Sequence, residues 1–213
     1  MPRIRDTIRV IGLDPAGDGS DLFVGYLWEE SKRRGSTVTC ILEDDSTRHS
    51  VLAKEIAEDY RRRGCLGIGI DAVGLGYDFK ELLFVNKITD EELFPFLHNA
   101  LPEGLNADEY DNLAMEAADD LRRRMERGHF FATGKTENPT DSLVLPNEPA
   151  LIEQLQDREF DLTKEDKLKL QPKKELTESP DHFEALMIAY WTLREVMMLY
   201  EEDDWLKENG YCG

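Results

Sequence analysis

Ile8-Arg9-Val10-Ile11-Gly12-Leu13-Asp14 is an apolar run that stops on an acid. A short run of this kind, bounded by polar turn residues, reads as a buried strand. Leu66-Gly67-Ile68-Gly69-Ile70-Asp71 repeats the pattern and is typical of a central parallel strand. A third acid, Asp181, follows Ser179-Pro180 and opens the helical pattern Asp181-His182-Phe183-Glu184-Ala185-Leu186-Met187. Two acids at strand ends and one at a helix start, far apart in sequence, can converge on a divalent metal.

Around these anchors the chain reads as an α/β domain with a mixed sheet. Leu22 to Trp28 and Ser36 to Leu42 follow the first strand closely, with Gly17 and Gly19 in the connection, so the three are expected to form an antiparallel meander. Residues 47–63 carry Val51, Leu52, Ile56, Ala57 and Tyr60 at helical spacing. Arg61, Arg62 and Arg63 complement the dipole at that helix end, with DNA contact as the alternative, and Gly64 suits the position after it. A strand reached through a helix implies a right-handed crossover to 66–71. Ala72 to Phe79 reads as a turn, Leu82 to Val85 as a fifth strand and Asn86 to Pro102 as loop. Asp108 to Arg127 is an amphipathic helix, and His129 to Ala132 a short strand. Thr133 to Pro149 is loop, and Ala150 to Gln156 helix. Phe160–Leu162 and Lys167–Leu170 form a hairpin. Pro180 to Tyr200 is a final helix with Phe183, Met187, Tyr190 and Met197 near one stripe, and the acidic tail, 201–213, frays or caps. The whole, 1–213, is expected to be one domain with its core over about 8–195.

Composition narrows the chemistry. Three cysteines without a C-x-x-C pair, and four histidines none of which are four apart, make a disulfide framework or a His/Cys metal site improbable. Carboxylates and a hard metal remain. A net charge of −19 argues against a free-standing duplex binder, which needs a basic footprint, but not against an enzyme whose acids hold metals. No apolar run reaches membrane-spanning length, and the N-terminus lacks the apolar stretch of a signal peptide, so a cytosolic protein is expected.

A carboxylate at the end of a central strand is rigid and holds a metal without reordering. Asp14 and Asp71 fit that role; Asp18 and Asp21 fit turn or supporting roles, and Asp78 a helix N-cap or surface acid. Asp181 and Glu184 are three apart on one helix face, a pattern that an acidic first turn alone would also give. Ser179 suits the cap of that helix and Pro180 its first position. Phosphodiester hydrolysis needs an activated water and a stabilised leaving oxygen, which two Mg²⁺ or Mn²⁺ ions about 3.5–4 Å apart supply. Asp14 is the expected bridge. Gly134-Lys135-Thr136 looks like the end of a phosphate loop, but His129 stands where its first glycine belongs and Pro139 follows, so ATP binding is rejected. Lys135 remains a candidate phosphate contact.

The stretches Asp14-Pro15-Ala16-Gly17-Asp18-Gly19-Ser20-Asp21, Ile70-Asp71-Ala72-Val73-Gly74-Leu75-Gly76, Asn86-Lys87, and Lys167-Leu168-Lys169-Leu170 leading into Ser179-Pro180-Asp181-His182-Phe183-Glu184 resemble the nuclease domain of the large terminase subunit of tailed viruses. The resemblance covers about residues 8–195. It implies an RNase H-like fold and a metal-dependent endonuclease that cuts concatemeric double-stranded viral DNA during packaging. It also implies two Mg²⁺ or Mn²⁺ ions on Asp14, Asp71 and Asp181, and a location in the host cytoplasm. A fourth acid of the family maps onto Glu184, where aspartate is more usual, and Lys87 onto a basic position near DNA. Partners implied are the ATPase motor, the small terminase subunit and the portal; the motor itself has no counterpart in this sequence. A junction resolvase of the same fold and a non-catalytic docking module for the motor or portal are the competing expectations.

Overall fold

The computed structural model describes residues 6–16, 21–46, 48–102, 104–127, 142–176 and 179–208. Three long strands open the fold: β1 (Thr7–Asp14), β2 (Phe23–Ser31) and β3 (Gly35–Asp44). They form the antiparallel meander read from the sequence. Helix α1 (His49–Arg63) then crosses to β4 (Gly67–Asp71), which pairs parallel to β1. Gly64 ends α1 in the left-handed conformation at φ 64°, and the next N–H, of Cys65, bonds back to Tyr60 O. Of the arginines before it, Arg62 and Arg63 pair with Asp59, and Arg61 donates to Asn86 O.

The next segment departs from expectation. Leu82 to Val85 is not a strand but the last turn of α2 (Leu75–Val85). Gly76, Phe79 and Leu83 are its buried residues, a helical spacing that the short run Leu82–Val85 conceals when read alone. The fifth strand is β5 (Leu93–Phe96), inside the stretch expected to be loop. Among the described residues it pairs only with β4, and an edge strand tolerates Pro95, which has no N–H to donate. Helix α3 (Leu113–Arg127) starts five residues later than expected. Its start is fixed by Asn112, whose Oδ1 accepts the Met115 N–H. Strand β6 (Leu143–Val144) also lies in expected loop and pairs with the edge of β3. Helix α4 (Pro149–Asp157) and the hairpin β7 (Phe160–Leu162) and β8 (Leu168–Leu170) are as read. Helix α5 (Asp181–Glu208) runs past Tyr200, through residues expected to fray or cap. The expected strand 129–132 lies outside the described residues.

The sheet order is β5-β4-β1-β2-β3-β6, with both faces covered. On one face α1 and α2 pack on Ile11, Leu13, Phe23, Leu27, Ile68 and Ile70. On the other, α5 lies over Val10, Val24, Tyr26 and Trp28, with α3 and α4 around it. Every residue of α5 from Asp181 to Tyr190 is buried, so over these ten residues the helix is enclosed on all sides rather than along the expected single stripe. Gly12 and Gly69 permit this. A Cβ on Gly12 would lie 2.5 Å from Ala189 Cα, and one on Gly69 would lie 2.8 Å from Ile188 Cγ2. The helix backbone thus rests almost directly on β1, which places its first turn over the strand ends. Among the described residues no helix is long and apolar enough to cross a membrane.

Candidate active site

Because β1 and β4 are adjacent and parallel, with Leu13 opposite Ile70, their C-terminal residues Asp14 and Asp71 emerge side by side. The start of β2 faces the same point, since Asp14 pairs with Val24. Asp181 closes the group from above. Its Oδ2 accepts the Leu22 N–H at 2.8 Å, and its Oδ1 accepts the Ser179 hydroxyl at 2.5 Å. Ser179 therefore orients the carboxylate, while the free N–H of Phe183 is capped from α4 by Gln154 Oε1 at 2.9 Å. Gln154 Nε2 also donates to Ser179 O, so one side chain fixes both sides of the turn into α5. The first helical hydrogen bond runs from Glu184 N–H to Pro180 O, which puts Pro180 one place before the helix proper. His182 ties the same turn to the sheet: its Nδ1 lies 2.9 Å from the Tyr26 hydroxyl, which donates to Glu148.

Glu184, 1% exposed, completes the acidic group one turn into α5. Its Oε2 accepts from Lys173 Nζ at 2.5 Å, and its Oε1 lies 3.7 Å from Arg158 Nη2. Asp71 Oδ1 accepts the Val73 N–H at 3.0 Å; its Oδ2 faces His98 Nε2 at 3.4 Å.

The electrostatics follow from this crowding. Burial pushes the Asp14 carboxyl well above its usual range; Glu184, Asp181 and Asp71 push the same way, and only the Lys173 ammonium opposes them. Lys173 shows the reciprocal effect. Burial would lower its pKa, but Glu184, Asp14 and Asp71 outweigh it and raise it. The site is thus a cluster of carboxylates with more negative charge than one lysine offsets, and hard oxygen donors of this kind suit a divalent cation. As the side chains lie, no three acids, histidines or cysteines among the described residues form a coordinating group. Asp181 is turned onto Leu22 and Ser179, and Glu184 onto Lys173.

Asp14, Asp71, Asp181 and Glu184 are brought together; other candidates lie elsewhere. Lys87 follows α2 with φ 67°, at the end of the sheet where β4 and β5 begin, opposite the carboxylates. Lys135 and Asp18 lie outside the described residues. Asp21 and Asp78 are exposed. His98, Arg158 and Lys173 escaped the sequence reading. Each stands in a connecting segment with no motif around it, and only the fold brings it to the acids.

No protein-family model and no curated protein matches the sequence. Solved structures match the fold. The nuclease domain of the large terminase subunit gp2 of bacterial virus Sf6 matches with a TM-score of 0.61 at 18% identity, over 86% of this chain and 87% of that one. The large terminase nuclease of thermophilic phage G20c gives 0.58 at 15% identity, over 87% and 82%. The large terminase nuclease domain of Thermus phage P74-26 gives 0.51 at 13%, over 87% and 79%. A point mutant of the Sf6 domain has been solved with manganese and with calcium, and the G20c domain with magnesium and with cobalt. At these identities the likeness establishes the fold: a mixed six-stranded sheet flanked by helices, of the RNase H-like class. The expected resemblance to terminase nuclease domains is borne out at that level.

Proposed function

We propose that the protein is a divalent-metal-dependent DNA endonuclease of the terminase type. The observation that carries this reading is Asp14: a carboxylate 7% exposed at a central strand end, facing three other acids. A protein that leaves such repulsion in its interior gains stability from any cation that neutralises it. Asp14 would be the ligand shared by the ions, with Asp71, Asp181 and Glu184 holding them. Two Mg²⁺ or Mn²⁺ ions held there would supply an activated water and stabilise the leaving oxygen. The chain's own groups do the positioning. Val73 N–H holds Asp71, and Leu22 N–H with the Ser179 hydroxyl holds Asp181. Lys173 holds Glu184 and stays charged beside the substrate.

Double-stranded DNA is the substrate, and concatemer cleavage during viral genome packaging is the setting. The terminase folds around this chemistry support that setting. With a net charge of −19 the chain grips duplex poorly alone, so a motor, small subunit or portal supplies the hold. The test is supercoiled plasmid with Mn²⁺ or Mg²⁺, using wild type beside Asp71→Asn of verified fold. Metal-dependent nicking that Asp71→Asn lacks is expected. No cleavage under either metal from a folded wild type, at low salt and with protein in excess so that weak duplex affinity does not limit the reaction, overturns the reading in favour of a docking module.

A further inference from the structure

Beside the carboxylates lies a cavity of about 300 Å³, the volume of roughly ten waters. Asp71 and Glu184 are the acids of its lining, and Arg158, Lys173, His98 and Asn112 are among its other lining residues. Two buried nitrogens on these walls have no hydrogen-bond partner: Arg158 Nε and His98 Nε2. The Arg158 side chain is only 5% exposed, stacks on Phe183 at 5.1 Å, and donates from Nη1 to Gln171 O. His98 Nε2 faces Asp71 Oδ2 at 3.4 Å without hydrogen-bond alignment. Asn112 caps α3 with its Oδ1, and its Nδ2 makes only a 3.4 Å contact to Asp111. The N–H groups of Leu113 and Ala114 are spent on Ala100 O and His98 O, so the helix end offers its dipole while side chains supply the donors.

Buried polar atoms in native proteins nearly always find a partner, and an orphan marks a ligand or an ordered water. Here two orphans on one cavity are joined by an ammonium and a carboxamide, and all of these groups are able to donate. Their missing partner is an acceptor. Once divalent ions neutralise Asp71 and its fellow acids, Arg158 and Lys173 leave the cavity positive, so that acceptor is an anion. We propose that the cavity binds a backbone phosphate of the nucleic-acid strand, a neighbour of the phosphate that is cut and one that is held rather than hydrolysed. This rests on the nuclease reading, because it is the metal-loaded site that makes the cavity positive. Arg158 is a binding residue in this scheme, and His98 and Asn112 complete the cradle. The subsite fixes the register of the strand across Asp14 and Asp71.

The test titrates inorganic phosphate into the full chain in Mg²⁺ and follows the Arg158 Nε–H and His98 ring signals by NMR. Asn112→Asp serves as the variant. Aspartate caps a helix as well as asparagine does, so the fold is kept while a negative charge enters the cavity. Both signals are expected to shift with one common saturation, and Asn112→Asp to weaken binding by about tenfold or more through charge repulsion. In plasmid nicking the variant raises KM more than it lowers kcat. Signals that stay still while surface lysines respond, or equal binding by Asn112→Asp, overturn the subsite. Plasmid nicking by wild type in the same samples separates the two claims. Nicking without phosphate binding overturns the subsite alone. Phosphate binding without metal-dependent nicking overturns the nuclease reading and the assignment of the ligand as nucleic acid.

Discussion

Replacing Gly12 by alanine places a methyl group where α5 crosses β1. The new Cβ would lie 2.5 Å from Ala189 Cα and 2.6 Å from Ala185 O, against the 3.4 Å at which ordinary contact begins. Both atoms are backbone, as is Ala189 N, which lies closer still, so no side chain can turn aside, and α5 must retreat by about 1 Å or more at that point. Overpacking of this kind costs about 1–3 kcal/mol. In a domain of this size each kcal/mol lowers Tm by about 2–4 °C. The larger consequence is functional. Asp181 and Glu184 ride on the first turn of α5, while Asp14 stays at the end of β1, so the retreat opens the carboxylate cluster. A misplacement near 1 Å costs about 10²-fold in rate. Calorimetry and Mn²⁺-dependent plasmid nicking on Gly12→Ala are therefore expected to show a lower Tm and a rate reduced far more than the Tm shift explains. A variant that melts within a degree of wild type and nicks at the same rate refutes the claim that the Gly12 contact sets the site.

Gln154→Ala removes the acceptor for Phe183 N–H and the donor to Ser179 O. A loss of about 1 kcal/mol is expected from the missing cap, measured by urea unfolding, with weaker Mn²⁺ binding because Ser179 and Asp181 lose their brace. For pH, Asp14 has a folded pKa raised above the usual aspartate value of 3.8. Its native state therefore binds more protons than the unfolded chain between those two values. The contribution of Asp14 to the stability of the metal-free protein is full below the unfolded value and is lost as pH rises through the folded one. Divalent ions are expected to remove this decline, so thermal melts with and without Mg²⁺ should converge at acid pH and separate towards neutrality. Parallel curves across the whole range contradict it.

The sequence made some of this plain and hid the rest for identifiable reasons. β1 and β4 were legible because each is a continuous apolar run ending abruptly on aspartate, and Asp181 because Ser179-Pro180 marks a helix entry. α2 was misread because Gly74 and Gly76 look like turn residues. In fact Gly74 takes a positive φ of 61° to start the helix, and Gly76 gives room for the close approach to Asp71 O. β5 and β6 are four and two residues long, too short for any alternation to register. Glu184 was legible as an acid on the face of Asp181, but its pairing with Lys173 and Arg158 is tertiary. His98 reaches Asp71 only because β5 runs parallel to β4 and ends at the same edge. Lys87 shows the converse: a match of local sequence that the topology carries to the far end of the sheet.

Asp14, Asp71, Asp181 and Glu184 are expected to form one divalent-metal centre. Crystals of the protein grown with Mn²⁺ and measured for anomalous scattering test it directly. Two peaks about 3.5–4 Å apart are expected, bridged by Asp14, with Asp71 and Asp181 on either side. A map with no peak within reach of Asp14 contradicts it.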